Sequence, residues 1–223
     1  MKNVVTFSGW GQNYDALENI APGAAHINYK DFDSVEALFE SLQGIQCDIA
    51  IGWSLGGQLA LRAIDSDVIK PKRLVLISTP FQFIAGPGLK CGIDVDSFNV
   101  FMNDFSHDPV KTLKQFSLLI ARGDKDAKEI ARRLRNSDKE GAAKWLYWLE
   151  QLRSFTCQTM DYNKIPPTLA IIGSGDSVID SSQVDLFRPL IRSGYKAEVL
   201  DNCGHAPHLH DEQKVRQLIL EAV

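Results

Sequence analysis

Cysteine is scarce in this chain. Four occur among 223 residues, Cys47, Cys91, Cys157 and Cys203, and no two of them form a C-x-x-C pair. Such spacing suits scattered reduced thiols of a cytoplasmic protein better than a disulfide framework or a zinc site. Excess basic charge is also missing. The 24 Lys and Arg are outnumbered by 28 Asp and Glu, for a net −4, which argues against a nucleic-acid footprint spread over the surface. No apolar run approaches the roughly 18–20 residues that cross a bilayer, so no membrane association is expected. The opening stretch Met1 to Gly11 has neither a basic start nor a long apolar segment, and no secretory leader is expected from it. Internal repeats and low-complexity tracts are absent. What remains is ordinary globular composition, 44% hydrophobic and 23% charged, at a length that suits one domain with an inserted subdomain.

Apolar runs alternate with helical patterns through the first half. Val4 to Phe7, Ala24 to Tyr29, Cys47 to Ile51 and Arg73 to Ser78 read as strands; Thr168 to Ile172 and Ala197 to Leu200 add two more. Most lack strict polar alternation, the mark of strands buried on both faces in a parallel sheet with helix layers. Val35, Leu38, Phe39 and Leu42 share one face of a helix over 33–42, with Asp33 as its expected cap and Glu36 three residues on. Further helices are expected after Gly57 to about Ile64, over Pro109 to Ile120, Asp126 to Arg135 and Lys139 to Phe155, and from about Glu212 to Ala222. The expected architecture is α/β: about six mostly parallel strands flanked by helices, with an all-helical lid after the fourth strand. Residues 1–80 and 163–223 make the core, and 81–162 the lid.

The sharpest local pattern is Gly52-Trp53-Ser54-Leu55-Gly56-Gly57, set between an apolar strand and an amphipathic helix. A serine there stands on a tight turn above the sheet, and the helix start beneath it offers unpaired N–H groups to a developing oxyanion. Serine needs a base. His205 follows the last strand, in a loop that aims back over the same sheet edge. Asp176, at the end of Ile171-Ile172-Gly173-Ser174-Gly175-Asp176, is the expected orienting acid, with Asp180 as its rival. The order Ser54, Asp176, His205 suits nucleophile, acid and base on such a sheet. Leu55 N–H and Trp10 N–H, the latter in the Ser8-Gly9-Trp10-Gly11 turn, are the expected oxyanion donors. His208 and His210 continue the His205 loop. Their spacing imitates a metal set, but no acidic or cysteine partner adjoins it; solvated or capping roles are expected, and no metal or organic cofactor. His26 and His107 lie outside any catalytic context.

These stretches resemble the α/β-hydrolases. Within that superfamily, Gly9-Trp10-Gly11, Gly52 to Gly57, Gly173 to Val178 and His205-Ala206-Pro207 are similar to the pimeloyl-acyl-carrier-protein methyl ester esterases of biotin synthesis. The resemblance covers nearly the whole chain. It implies a serine carboxylesterase with Ser54 as nucleophile, His205 as base, Asp176 as orienter, and Trp10 and Leu55 as oxyanion donors. It also implies substrate contacts from Trp10 and from the lid stretch Phe116, Ser117, Leu118, Leu119 and Ile120. Two departures stand out: Ser8 replaces the histidine common before Gly-Trp-Gly, and the N-terminal hairpin strands are missing, leaving six strands rather than eight.

From Lys111 to Arg135 the chain carries eight basic residues against three acids. Such a stretch is either a solvated face with pairs such as Glu129 with Arg133, or a docking patch for an acidic acyl carrier protein. Lys111, Lys128 and Arg132 lie where the resemblance places basic lid residues. Phe116, Leu118, Leu119, Trp145 and Trp148 would line an acyl channel or pack the lid. The partner expected is an acyl carrier protein bearing a pimeloyl methyl ester, with small esters as side substrates and the enzyme a monomer. A general carboxylesterase or thioesterase, and a non-catalytic ligand-binding protein on the same fold, are the alternatives.

Overall fold

Six parallel strands form one sheet in the computed structural model, which describes residues 3–13, 15–86, 88–134 and 142–222. They are β1 (Val4–Phe7), β2 (Ala25–Ile27), β3 (Ile49–Trp53), β4 (Arg73–Ile77), β5 (Thr168–Gly173) and β6 (Tyr195–Leu200), in the order β2-β1-β3-β4-β5-β6. Every residue of β1, β3 and β5 is buried, as strands covered on both faces require. The register sets Phe7 beside Gly52, Trp53 beside Ile77, and Gly173 beside Leu200. The carboxyl ends of β1, β3, β4, β5 and β6 therefore finish along one edge.

The helices are α1 (Asp15–Glu18), α2 (Val35–Leu42), α3 (Leu55–Asp65), α4 (Val95–His107), α5 (Pro109–Ala121), α6 (Ala127–Arg133), α7 (Ala142–Ser154), α8 (Pro207–His210) and α9 (Glu212–Ala222). Helix α2 is capped by Ser34, whose Oγ accepts from Ala37 N–H at 3.1 Å. Asp33 therefore sits one residue too early to act as the cap, which must directly precede the first helical residue. Helix α4 escapes the periodic pattern because only Phe98 and Phe105 on it are fully buried. Its start is marked instead by Asp94, which accepts from Ser97 N–H. The expected helix ends at Arg135 and Lys139 fall outside the described residues.

Helices α4 to α7 lie between β4 and β5. The neck of this insertion is closed by a bridge between Gln82 and Thr156 and by Cys157 N–H donating to Phe81 O at 2.9 Å. The insertion is tied to the core by polar contacts. Trp10 Nε1 donates to Trp145 O at 2.7 Å, and Tyr147 OH accepts from Val35 N–H at 3.0 Å. Trp10 lies within ring contact of Phe101, Phe105, Phe116 and Trp145, and Tyr29 of Trp145 and Trp148. Trp145 and Trp148 are fully buried in this packing. All four cysteines are free thiols. No helix among the described residues is long and apolar enough to cross a membrane.

Candidate active site

Ser54 stands between β3 and α3 with φ +55° and ψ −122°, a backbone conformation that costs on the order of 1–3 kcal/mol in a non-glycine residue. The surrounding structure enforces it. Ser54 N–H continues the ladder to Ile77 O, while its carbonyl already accepts from Gly57 N–H. The chain can turn this sharply only because side chains are missing nearby: a Cβ on Gly52 would lie 2.4 Å from Gly57 Cα, and one on Gly56 would lie 2.2 Å from Phe7 O. Leu55 is the first residue of α3, so its N–H has no acceptor within the helix. Trp10 sits in the turn after β1, closed by Gln12 N–H to Gly9 O and by Ser8 Oγ donating to Asn13 O at 2.7 Å. The serine that replaces the usual histidine thus braces this loop.

Asp176 lies in the loop after β5. Its Oδ2 accepts from His205 Nδ1 at 2.7 Å, and its Oδ1 from the N–H groups of Val178 and Ile179 at 2.8 and 3.0 Å. Three donors hold this buried carboxylate in one orientation. Asp180 is engaged elsewhere: it caps the 3-10 helix Ser181–Phe187 through Ser182. His205 is 1% exposed, and its Nε2 is buried with no hydrogen-bond partner among the described residues. Ser54 is 5% exposed.

Three features of the His205 loop differ from the sequence reading. His208 is not solvated but fully buried, edge-on to Trp53 with ring centroids 4.5 Å apart, and neither ring nitrogen has a protein partner. Burial, with His205 and Arg133 nearby, lowers its pKa to about 3, so it stays neutral. His210 is not solvated either: its Nδ1 meets Asp124 Oδ2 at 2.8 Å. With Cys203 these two bring one ligand atom each to within 4.8 Å of one another, so an acidic and a cysteine partner do adjoin His210, both supplied by folding. Trp53, missed in the motif, donates Nε1–H to His205 O at 2.8 Å. A buried indole N–H usually finds such an acceptor, which is the one signal that points to it. His26 bridges Thr6 and Glu18, and His107 bonds Asn103 O, both apart from the site.

The lid stretch divides. Phe116 reaches Trp10 and Phe101, and Ile120 is buried with its carbonyl accepting from His205 N–H at 2.9 Å. Ser117 is buried, its hydroxyl returned to Lys114 O, and Leu119 is half-buried. Leu118 is 53% exposed; α5 turns it away from the face that buries Leu113, Ser117 and Ile120, which corrects its expected place in the channel. Lys111, Lys128 and Arg132 are exposed. Glu129 pairs with Arg132, three residues on, rather than with Arg133.

A serine on a strained elbow, a buried Asp–His pair and helix-start donors share one sheet edge. Residues 4–218 match the Alpha/beta hydrolase family. The chain belongs to that family. It is similar to a pimeloyl-[acyl-carrier protein] methyl ester esterase of Aromatoleum aromaticum, at 29% identity over 99% of this chain and 98% of the relative. It is also 29% identical, over 76% of its length, to the biotin biosynthesis bifunctional protein BioHC of Teredinibacter turnerae, of which the match spans only 32%. Among solved structures of this hydrolase fold, an esterase from Exiguobacterium antarcticum superposes with a TM-score of 0.80 at 17% identity, covering 99% of this chain and 91% of that one. A bromoperoxidase from Bacillus anthracis gives 0.78 at 17%, covering 100% and 92%.

Proposed function

We propose that this hydrolase is a serine carboxylesterase acting on the methyl ester of pimeloyl-acyl-carrier protein. The observation that carries the reading is the 2.7 Å His205–Asp176 bond, buried at both ends, on a histidine whose other nitrogen is unpartnered. Asp176 fixes His205 in the tautomer with Nδ1 protonated, which leaves Nε2 as the base. Ser54 Oγ attacks the ester carbonyl as its proton passes to Nε2. The oxyanion is met by the Leu55 and Trp10 N–H groups, each such donor worth on the order of 10²–10³ in rate. Collapse expels methanol, which takes the proton from His205. Water, deprotonated by His205, then attacks the acyl-enzyme and releases the free carboxylic acid and Ser54.

The substrate follows from the names of the relatives matched. Exposed Lys111 and Lys128 on the lid, with Arg132 already paired to Glu129, supply charge complementary to an acidic carrier, and Phe116 beside Trp10 offers an apolar wall to the acyl chain. Four free thiols fit a reducing compartment such as the cytoplasm.

Two experiments test this. A fluorophosphonate should label Ser54, and folded protein that stays unlabelled would remove the nucleophile. Turnover of methyl-pimeloyl-carrier protein should exceed that of short p-nitrophenyl esters and weaken as salt rises. Equal use of both, with no salt effect, would leave a general carboxylesterase.

A further inference from the structure

A second acid–histidine pair flanks the site. Asp124 follows α5 by three residues, and His210 closes α8. Asp124 Oδ2 accepts from His210 Nδ1 at 2.8 Å and from Gly204 N–H at 3.3 Å, while Oδ1 accepts from Asp126 N–H at 2.9 Å. The Asp124 side chain is 1% exposed and that of His210 9%. Two backbone bonds run beside them, His205 N–H to Ile120 O at 2.9 Å and Lys125 N–H to Asn202 O at 3.3 Å. The chains touch closely here. A Cβ on Gly204 would lie 2.7 Å from Ile120 O, and one on Gly123 would lie 2.2 Å from Gly175 O. The turn between α5 and α6, residues 120–125, is therefore seated against the loops that carry both His205 and Asp176.

Buried acid–base pairs are poor sources of net stability, because desolvation offsets their attraction. What this one supplies is orientation, since Asp124 accepts from the N–H of Gly204, the residue immediately before His205. We infer that Asp124 and His210 are positioning residues that lock the Cys203–Gly204 peptide, next to His205, to the turn between α5 and α6 and so hold His205 Nε2 in line with Ser54. The inference rests on Ser54, His205 and Asp176 being the triad. A metal held by Asp124, Cys203 and His210 fits less well. Ligands of tetrahedral zinc sit roughly 3.4 Å apart at the usual bond lengths, whereas Oδ2 and Nδ1 are at hydrogen-bond distance. The Cys203 thiol is also pushed far above its ordinary range by burial and by the nearby carboxylates, Asp124 first.

The test uses the full chain with Asp124→Ala, His210→Ala, the double variant and His210→Asn. Each is assayed on a short p-nitrophenyl ester and normalised to sites labelled to completion by a fluorophosphonate. In either alanine variant, kcat per labelled site should fall roughly 10–100-fold, as a misplaced base does. KM should move less than about threefold, because no ester contact changes. The double variant should lose no more than the worse single one. His210→Asn, whose side-chain N–H reaches where Nδ1 does, should recover to within about fivefold of the parent. Should an alanine variant not fold, Asp124→Asn keeps the volume and should still lose at least about threefold in kcat. Parental kcat in folded, labelled variants would overturn the inference, as would a loss confined to yield or melting temperature, or His210→Asn failing as badly as alanine. Ser54→Ala and His205→Ala run alongside: if either stays active the triad reading falls, whereas if both are dead the Asp124 and His210 variants alone decide.

Discussion

Replacing His208 by phenylalanine isolates the energetics of one buried, unpartnered ring. In the native protein its pKa lies at about 3, against 6.5 for the ordinary side chain, because burial first, and then His205 and Arg133, disfavour the cation. Below pH 6.5 the unfolded chain therefore takes up a proton that the folded chain refuses. The stability tied to this group is complete above pH 6.5 and is lost as pH falls toward 3. The slope approaches about 1.4 kcal/mol per pH unit, which amounts to about 2 kcal/mol between pH 7 and pH 5. Phenylalanine has nearly the same shape and no proton to bind. Urea unfolding of both proteins at pH 7 and pH 5 reads the effect directly, since the other titrating groups are common to both. The variant's stability drop should be about 2 kcal/mol smaller than the parent's, and at pH 7 it should be at least as stable. Parallel pH dependences would refute the argument. A variant destabilised at pH 7 would show that the ring nitrogens hold partners such as buried water.

Asp176→Asn should lower kcat by about 10⁴ by permitting the wrong tautomer of His205. Asp180→Asn should stay within a few fold, because Asp180 only caps Ser181–Phe187; the reverse ranking in steady-state assays would exchange their roles. Gly56→Ala places a methyl 2.2 Å from Phe7 O and should cost more than about 4 kcal/mol, as severe core overpacking does. A soluble variant with the parental melting temperature would refute the packing account of the elbow.

The parts legible in the sequence are those marked by their immediate neighbours. Ser54, Asp176 and His205 each follow a short apolar run and stand among glycines, so strand, turn and side chain are written together. The buried strands themselves are likewise marked by runs such as Ile49–Trp53 and Thr168–Gly173. The misreadings concern partners far apart in the chain. His208 and His210 looked solvated because partners far away in the chain cover them: Trp53, 155 positions before His208, and Asp124, 86 before His210. Leu118 looked like its neighbours in the lid stretch because hydrophobicity alone does not say which side of α5 meets the sheet. The cap of α2 slipped by one residue because Asp33 and Ser34 are both good capping residues, and backbone geometry chooses between them.

The chain has four tryptophans, Trp10, Trp53, Trp145 and Trp148, and every one is wholly enclosed. Trp53 backs the His205 loop, and the others crowd the seam where the lid meets the sheet. Ser54 is itself almost covered, at 5% exposed. The protein's native ultraviolet emission is thus that of enclosed indoles, so a red shift with stronger iodide quenching would report any parting of that seam in real time, without any attached dye.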